Sequence, residues 1–167
     1  MKRYIRTATA HDDNSSLPYR DLCNLASTTR STRIMQELIS HNSPYIRYSV
    51  AFNPNVSEDI LEQLADDTDP DVVGMVAIQT KSPELLERLA TCKFPDKDTT
   101  PVRGWVAGNV YTPEHLLRKL AMDKNSKVRA EVADNPEAPK DVLAQLLDDE
   151  DPEVREAAEG WAWKLKD

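Results

Sequence analysis

The sequence predicts an all-α fold, a short α-solenoid of about five two-helix repeats of roughly 26 residues. Three observations predict it. The stretch Val128–Glu153, VRAEVADNPEAPKDVLAQLLDDEDPE, is spelled again 82 residues earlier at Ile46–Asp71, IRYSVAFNPNVSEDILEQLADDTDPD. Anchor residues Ile46, Val72, Val102, Val128 and Val154 recur at intervals of 26, 30, 26 and 26. Within each interval two proline-punctuated segments of roughly eight to ten residues carry apolar side chains at helical spacing. Helices that short are below the ~12–15 residues at which an isolated helix is even marginal in water. Each must bury its stripe on a neighbour, so stacking is required.

Taken in order, residues 1–16 lack periodicity and read as a flexible N-terminal arm. Residues 17–43 align without a gap on the next repeat at an offset of 26, pairing Pro18 with Pro44, Tyr19 with Tyr45 and Met35 with Leu61. Polar Arg20 and Asn24 stand where Ile46 and Val50 follow, which marks this repeat as an N-terminal cap. Repeats then cover 44–69, 70–99, 100–125 and 126–151, and residues 152–167 form a C-terminal capping helix. The longer third repeat holds the insertion 92–100, which must bulge from one edge.

Helix A of each repeat starts at Asp69-Pro70, Asn125-Ser126 or Asp151-Pro152, where a side chain accepts an orphan N–H and proline fills the first helical position. The anchor and the residue four later form its apolar stripe, and it stops at Asn53-Pro54 or Asn135-Pro136. Helix B starts at Ser82-Pro83, Thr112-Pro113 or Ala138-Pro139 and runs through LLERLA, LLRKLA and VLAQLL. On the last helix Trp161 and Trp163 cannot both face the core; one seals the open end and the other is exposed, where it also offers an end-to-end contact.

Apolar and charged fractions of 40% and 30% are those of a soluble globular protein, with no run long enough to span a bilayer. The N-terminus lacks the apolar core of a secretory signal. Cys23 and Cys92 have no metal-ligand spacing, so reduced thiols in a cytoplasmic protein are expected. The net charge of -8 is uneven: residues 1–43 carry six Lys/Arg against four Asp/Glu, and residues 44–167 carry 15 against 25. So acidic a repeat body repels nucleic acid and favours a protein partner with a basic surface.

The phrase V-R-x-x-V-A-x-N-P-x-x-P-x-x-x-L-x-x-L resembles the leucine-rich repeat variant family, relatives of the HEAT-like helical solenoids. Val128, Arg129, Val132, Ala133, Asn135, Pro136, Pro139, Leu143 and Leu146 carry the match, and Ile46, Arg47, Val50, Ala51, Asn53, Pro54, Leu61 and Leu64 carry it again. The resemblance implies a right-handed solenoid that binds other macromolecules. Some members carry an N-terminal iron–sulfur module on clustered cysteines; with only Cys23 in that region, no cofactor is carried over. The opening MKRYIR is also similar to the start of small phage and mobile-element proteins.

Arg47, Arg103, Arg129 and Arg155 follow the anchors and are expected to form a structural ladder with carboxylates or carbonyls of the adjacent turns, the alternative being a grip on external anions. The positions three and six after each anchor vary, so Phe52, Met75, Ile78 and Trp105, with Tyr48 nearby, are expected to form one exposed partner-binding patch, unless the arm or the insertion covers them. Asp66, Asp67, Asp69, Asp148, Asp149 and Glu150 cap turns, and their surplus could also imitate a phosphate row. His115 stands where Asp59 and Asp141 stand and is expected to cap its helix. No catalytic triad, glycine-rich phosphate loop or metal set is spelled. The expected function is a non-enzymatic protein-binding solenoid. The alternative is an acidic phage or mobile-element inhibitor that blocks the nucleic-acid groove of a host defence protein, in the manner of an anti-CRISPR. A base-excising glycosylase of HEAT-like architecture needs a basic surface, which the charge opposes.

Overall fold

The computed structural model describes residues 18–94 and 98–165 of the chain. Within them lie eleven α-helices, a closing 3₁₀ turn (Ala162–Leu165) and no strand. The A helices are α1 (Tyr19–Thr28), α3 (Pro44–Ala51), α5 (Pro70–Gln79), α7 (Thr100–Gly108), α9 (Ser126–Asp134) and α11 (Pro152–Glu159). The B helices are α2 (Thr32–Leu38), α4 (Glu58–Leu64), α6 (Pro83–Leu89), α8 (Glu114–Leu120) and α10 (Lys140–Leu146). The protein is thus an all-α repeat solenoid, and it divides into two compact units at Gln79/Thr80. The arm 1–16 and residues 95–97 of the insertion lie outside the described residues.

The helices begin where short polar side chains meet orphan N–H groups. Ser31 accepts from the Ile34 amide, Ser82 from Leu85, Asn125 from Lys127 and Asp151 from Glu153. Proline occupies the first turn of α3, α6, α7 and α11, where its missing N–H is no loss. Helices α8 and α10 start one residue later than expected. Pro113 and Pro139 are extended caps with ψ of 146° and 145°, and the buried Thr112 hydroxyl donates to the Val106 carbonyl of the preceding helix instead of capping its own.

In the first unit Ile46, Val50 and Ala51 of α3 and Val72, Val76 and Ala77 of α5 are fully buried, together with Ile60, Leu61 and Leu64 of α4. Helix α3 packs between α1 and α5, and α4 lies against α5. The first repeat corrects the gapless alignment. Arg20 and Asn24 point to solvent while Leu22 and Ala26 fill the core, so α1 is rotated to offer its own apolar pair. In the second unit α9 packs between α7 and α11. Val102, Val106, Val128, Val132 and Val154 are fully buried there, and Leu86, Leu117, Leu143 and Leu146 of the B helices join them. Each buried Val or Leu side chain contributes about 1.5–3 kcal/mol relative to exposure. Such a seam holds helices that have no stability alone.

The last helix is shorter than expected. It ends at Glu159 with Gly160 as its cap, and the chain turns through Trp161 into the 3₁₀ segment. Trp161 is half-buried and Trp163 exposed, with ring centroids 6.1 Å apart.

Candidate docking surface

Two sets of polar side chains are committed to holding the repeats together, which defines by subtraction what is left for a partner. The first is a ladder of arginine and aspartate. Arg47 donates Nε and Nη2 to Asp67 at 2.5 and 2.7 Å, and Nη1 to the carbonyls of His41 and Asn42. Arg103 grips Asp123 at 2.6 and 3.2 Å, and Arg129 grips Asp149 at 2.7 Å through both nitrogens. Arg129 also donates to the Asp123 carbonyl, and Arg155 to those of Asp149 and Glu150. Arg47, Arg103 and Arg129 therefore tie the turn before helix A to the turn after helix B, while Arg155 reaches only the turn before its own helix. Bidentate geometry suits the planar guanidinium.

The same aspartates accept the amide two residues on, Asp69, Asn125 and Asp151 respectively. In the first repeat His41 takes this place, its Nδ1 accepting the Ser43 amide. In the third repeat buried Val73 replaces the arginine and Lys93 stands where the aspartate would be, so the pair is lost as a pair. Hydrogen bonds from Arg129 hold the Asp149 carboxyl below its ordinary range. At Asp123 burial is the largest influence and pushes upward, but the Arg103 bonds, the Asn125 amide and the charges of Arg103 and Lys124 together outweigh it and the carboxyl is lowered.

The second set was not legible from residue types alone. Asn53, Asn109 and Asn135 do more than end their helices. They are buried, and their amides reach back to the preceding repeat: Asn53 to the carbonyls of Ala26 and Thr29, Asn109 to Thr80, Asn135 to Ala107 and Asn109. Their oxygens accept the amides of Asn55, Tyr111 and Glu137. The recurrence of asparagine seven residues after three anchors was the available signal.

The acids fall into two groups. Asp67 and Asp149 face arginines and, with Asp69, accept turn amides, so they are partly withdrawn from solvent. Asp66, Asp148 and Glu150 are exposed, Glu150 lying 3.6 Å from Arg129. His115 does not cap its helix; its Nε2 lies 2.9 Å from Glu87 on α6. Arg118 similarly links Glu114 to Asp141 of the next repeat.

The outer face of the A helices carries no such duty. In the first unit it holds Tyr19 (47% exposed), Tyr45 (58%), Phe52 (53%) and Ile78 (47%), with half-buried Tyr48 between. Ring centroids step 6.4 Å from Tyr19 to Tyr45, 6.2 Å to Tyr48 and 6.5 Å to Phe52. The Tyr19 hydroxyl pairs with Ser43 Oγ at 2.9 Å. The expected patch is thereby corrected. Met75 is buried, as is Ser49 at the same place in α3. A residue three after the anchor lies about 60° from it around the helix, too near the stripe to escape burial here. The exposed face runs instead through the positions one before, two after and six after the anchor. Those are Tyr45, Tyr48 and Phe52, spaced i, i+3, i+7.

In the second unit Trp105 of α7 is half-buried, and the outer face becomes acidic at Asp134 of α9 and at Glu153 and Glu156 of α11. Glu131 lies over Gly104 and Gly108 of α7, where a β-carbon at residue 108 would come 2.9 Å from its carboxylate. Partial burial and Asp134 push the Glu131 carboxyl up. A shallow hollow beside it is lined by Asp134, Glu153, Glu156, Ala157, Gly160 and Trp161. Lysines lie over two aromatic rings of this unit, Lys81 over Tyr111 at 5.9 Å and Lys164 over Trp161 at 4.4 Å.

Residues 127–151 match the family model of the leucine rich repeat variant. This segment carries the leucine-rich repeat variant signature. Within that variant unit Val128, Val132, Leu143 and Leu146 are the seam, Arg129 the ladder and Asn135 the link to the repeat before. Two solved structures are similar to the chain. One is an engineered protein, 17% identical, with a TM-score of 0.41 and 88% of each chain covered. The other is described as a leucine-rich repeat variant with a novel repetitive structural motif, 20% identical, with a TM-score of 0.33 over 85% of this chain and 82% of that one. No curated protein matches the chain. The phage-like opening, residues 1–6, lies outside the described residues. Among the described residues no helix is long and apolar enough to cross a membrane, and no group of His, Cys, Asp and Glu is placed to hold a metal ion.

Proposed function

We propose that the protein is a non-enzymatic scaffold, cytoplasmic, that docks a partner protein on the outer face of its A helices. The observation that carries this reading is the exposed run Tyr45, Tyr48 and Phe52 on α3, with Ile78 at the corresponding place on the adjoining α5. These side chains offer apolar surface to solvent, and aromatic anchors dominate binding energy at interfaces. Trp105 of α7, half-buried three residues after its anchor, is a separate candidate contact within the second unit. The test is an affinity capture from the source cells with the wild type and with the Phe52→Ala/Ile78→Ala variant, followed by a titration of the captured protein. The double change should weaken binding at least about tenfold while leaving the thermal midpoint within a few degrees. Unaltered affinity in a folded variant removes the proposal.

The inhibitor reading is favoured by a different observation, the hollow between α9 and α11 lined by Asp134, Glu153 and Glu156. A groove evolved for phosphates would accept such a row, with Asp66, Asp148 and Glu150 as further acids at the turns. Binding would then fall steeply between 50 and 500 mM salt, by roughly tenfold or more, and compete with nucleic acid. A complex indifferent to both would remove it.

A further inference from the structure

We infer that the aromatic row of the first unit receives an extended segment of the partner bearing arginine or lysine at alternate residues. The inference rests on the docking reading above and names the chemistry of the occupant. Four rings, Tyr19, Tyr45, Tyr48 and Phe52, step by 6.2–6.5 Å. The three on α3 are nearly parallel, at 17° and 6°. At that spacing neighbouring rings leave much of one another's faces bare, in keeping with the exposure of three of them. Alternate side chains of an extended chain, which point the same way, are about 6.6–6.8 Å apart, so successive ones meet successive rings.

Charge chooses the residue type. The described residues of the first unit, 18–79, carry nine acids against four arginines, of which Arg47 is bound to Asp67 and Arg33 to Glu37. Asp71 stands exposed on α5 at the place of Tyr45, two turns before Ile78 on the same face. In the second unit two rings meet the chain's own cations, the exposed Tyr111 under Lys81 and the half-buried Trp161 under Lys164. Among the described residues no cation lies over the four rings of the first unit. A ring face in a negative field is a site for a cation supplied from outside, and guanidinium also stacks flat on it. Single-stranded nucleic acid stacks on aromatic rows too, but it needs a basic groove, and the first unit is net acidic.

The test uses the full chain and labelled ten-residue peptides read by fluorescence anisotropy at 50 mM salt. One peptide alternates arginine with threonine. A second has the same composition with the arginines in a block, a third places arginine at i and i+4 on an alanine helix, and a fourth probe is a ten-nucleotide oligothymidine. The alternating peptide should bind at least about fivefold tighter than each of the others, and Tyr45→Leu and Phe52→Leu should each weaken it by about threefold or more. Raising salt to 500 mM should weaken it further. Both replaced side chains are more than half exposed, and matching thermal midpoints will show that the variants fold. Equal binding of the block or helical peptide, preference for the oligonucleotide, or leucine variants that bind like wild type would overturn the inference. If the captured partner still loses affinity on Phe52→Ala/Ile78→Ala while no peptide shows ring-dependent binding, docking survives and the extended basic occupant does not.

Discussion

The ladder can be broken at Arg129 with a result that separates two accounts of it. Arg129 and Asp149 retain 10% and 9% of their side-chain exposure, so water screens the pair little. Removing the arginine with Arg129→Val orphans a carboxylate that has lost both charged contacts, and leaves the Asp123 carbonyl without a donor it now uses. Breaking a buried pair from one side costs about 3–5 kcal/mol, a large share of the 5–15 kcal/mol that is typical of a folded chain. At about 2–4 °C per kcal/mol for a chain of this size, the thermal midpoint should fall by about 6–20 °C. Adding Asp149→Asn keeps an oxygen for the Asp151 amide and removes the orphaned charge. The double variant should recover most of the loss, as the third repeat does without the pair by carrying Val73. The assay is thermal and urea unfolding by circular dichroism, with amide exchange over residues 126–151 to localise the effect. A single variant within about 1 kcal/mol of wild type would mean that the pair is not buried in the energetic sense. A double variant no better than the single would falsify the orphan-charge account.

Acid should unfold the ladder from the aspartate side: Asp149 and Asp123 have lowered carboxyls, so their contribution is complete above the ordinary aspartate pKa and disappears as pH falls through the folded one. The pH dependence of stability below pH 4 should therefore flatten in the Arg129→Val/Asp149→Asn chain. His41 acts in a milder range. Burial, and then Arg47, lower its pKa, so the neutral ring is preferred in the fold, and stability is lost as pH falls below the ordinary histidine value of 6.5 toward the folded one. Protonation would put a hydrogen on the nitrogen that accepts the Ser43 amide. His41→Asn keeps an acceptor that cannot titrate and should abolish this step in a pH series of thermal midpoints between 7 and 5. Asn135→Ala removes the donor to two buried carbonyls and the acceptor of the Glu137 amide, and should cost about 2–4 kcal/mol by urea unfolding; a loss under 0.5 kcal/mol would mean water replaces it.

The repeat was legible because burial imposes a fixed spacing. Ile46, Val72, Val102, Val128 and Val154 could be picked out by recurrence alone, and all are fully buried. The first repeat was less legible because α1 packs in a different register from the A helices that follow. Its register shifted to Leu22 and Ala26 with no change in the flanking spelling of proline and tyrosine. The outer face was read rightly at position six after the anchor, Phe52 and Ile78, and wrongly at position three. Variation from repeat to repeat marks residues without a common structural task, yet position three after the anchor varies while being buried in α3 and α5, since Ser49 turns its hydroxyl onto the Tyr45 carbonyl and Met75 fills space. Variability and exposure are different properties, and only angular position on the helix distinguishes them. Buried asparagine was missed for a related reason: its local turn-forming role was enough to explain it, and a side chain with both a donor and an acceptor can serve two repeats at once.

The division of labour around each helix A explains how one repeat can keep its fold and change its surface. The stripe at the anchor and four and five residues on is filled by Val, Ile and Ala, the residue after the anchor is the ladder arginine in most repeats, and the residue seven on is a linking asparagine in three of them. That leaves the places one before, two after and six after the anchor, which lie on the face turned from the stripe. They hold Tyr45, Tyr48 and Phe52 in α3, Pro101, Gly104 and Gly108 in α7, and Lys127, Ala130 and Asp134 in α9. Aromatic, small and charged sets occupy the same scaffold positions because the seam, ladder and asparagines already satisfy the backbone and exclude water. Chemistry at those positions is therefore set by what approaches from outside, and the acid-rich, ring-bearing set of the first unit is the one with an identifiable counterpart, a cationic chain.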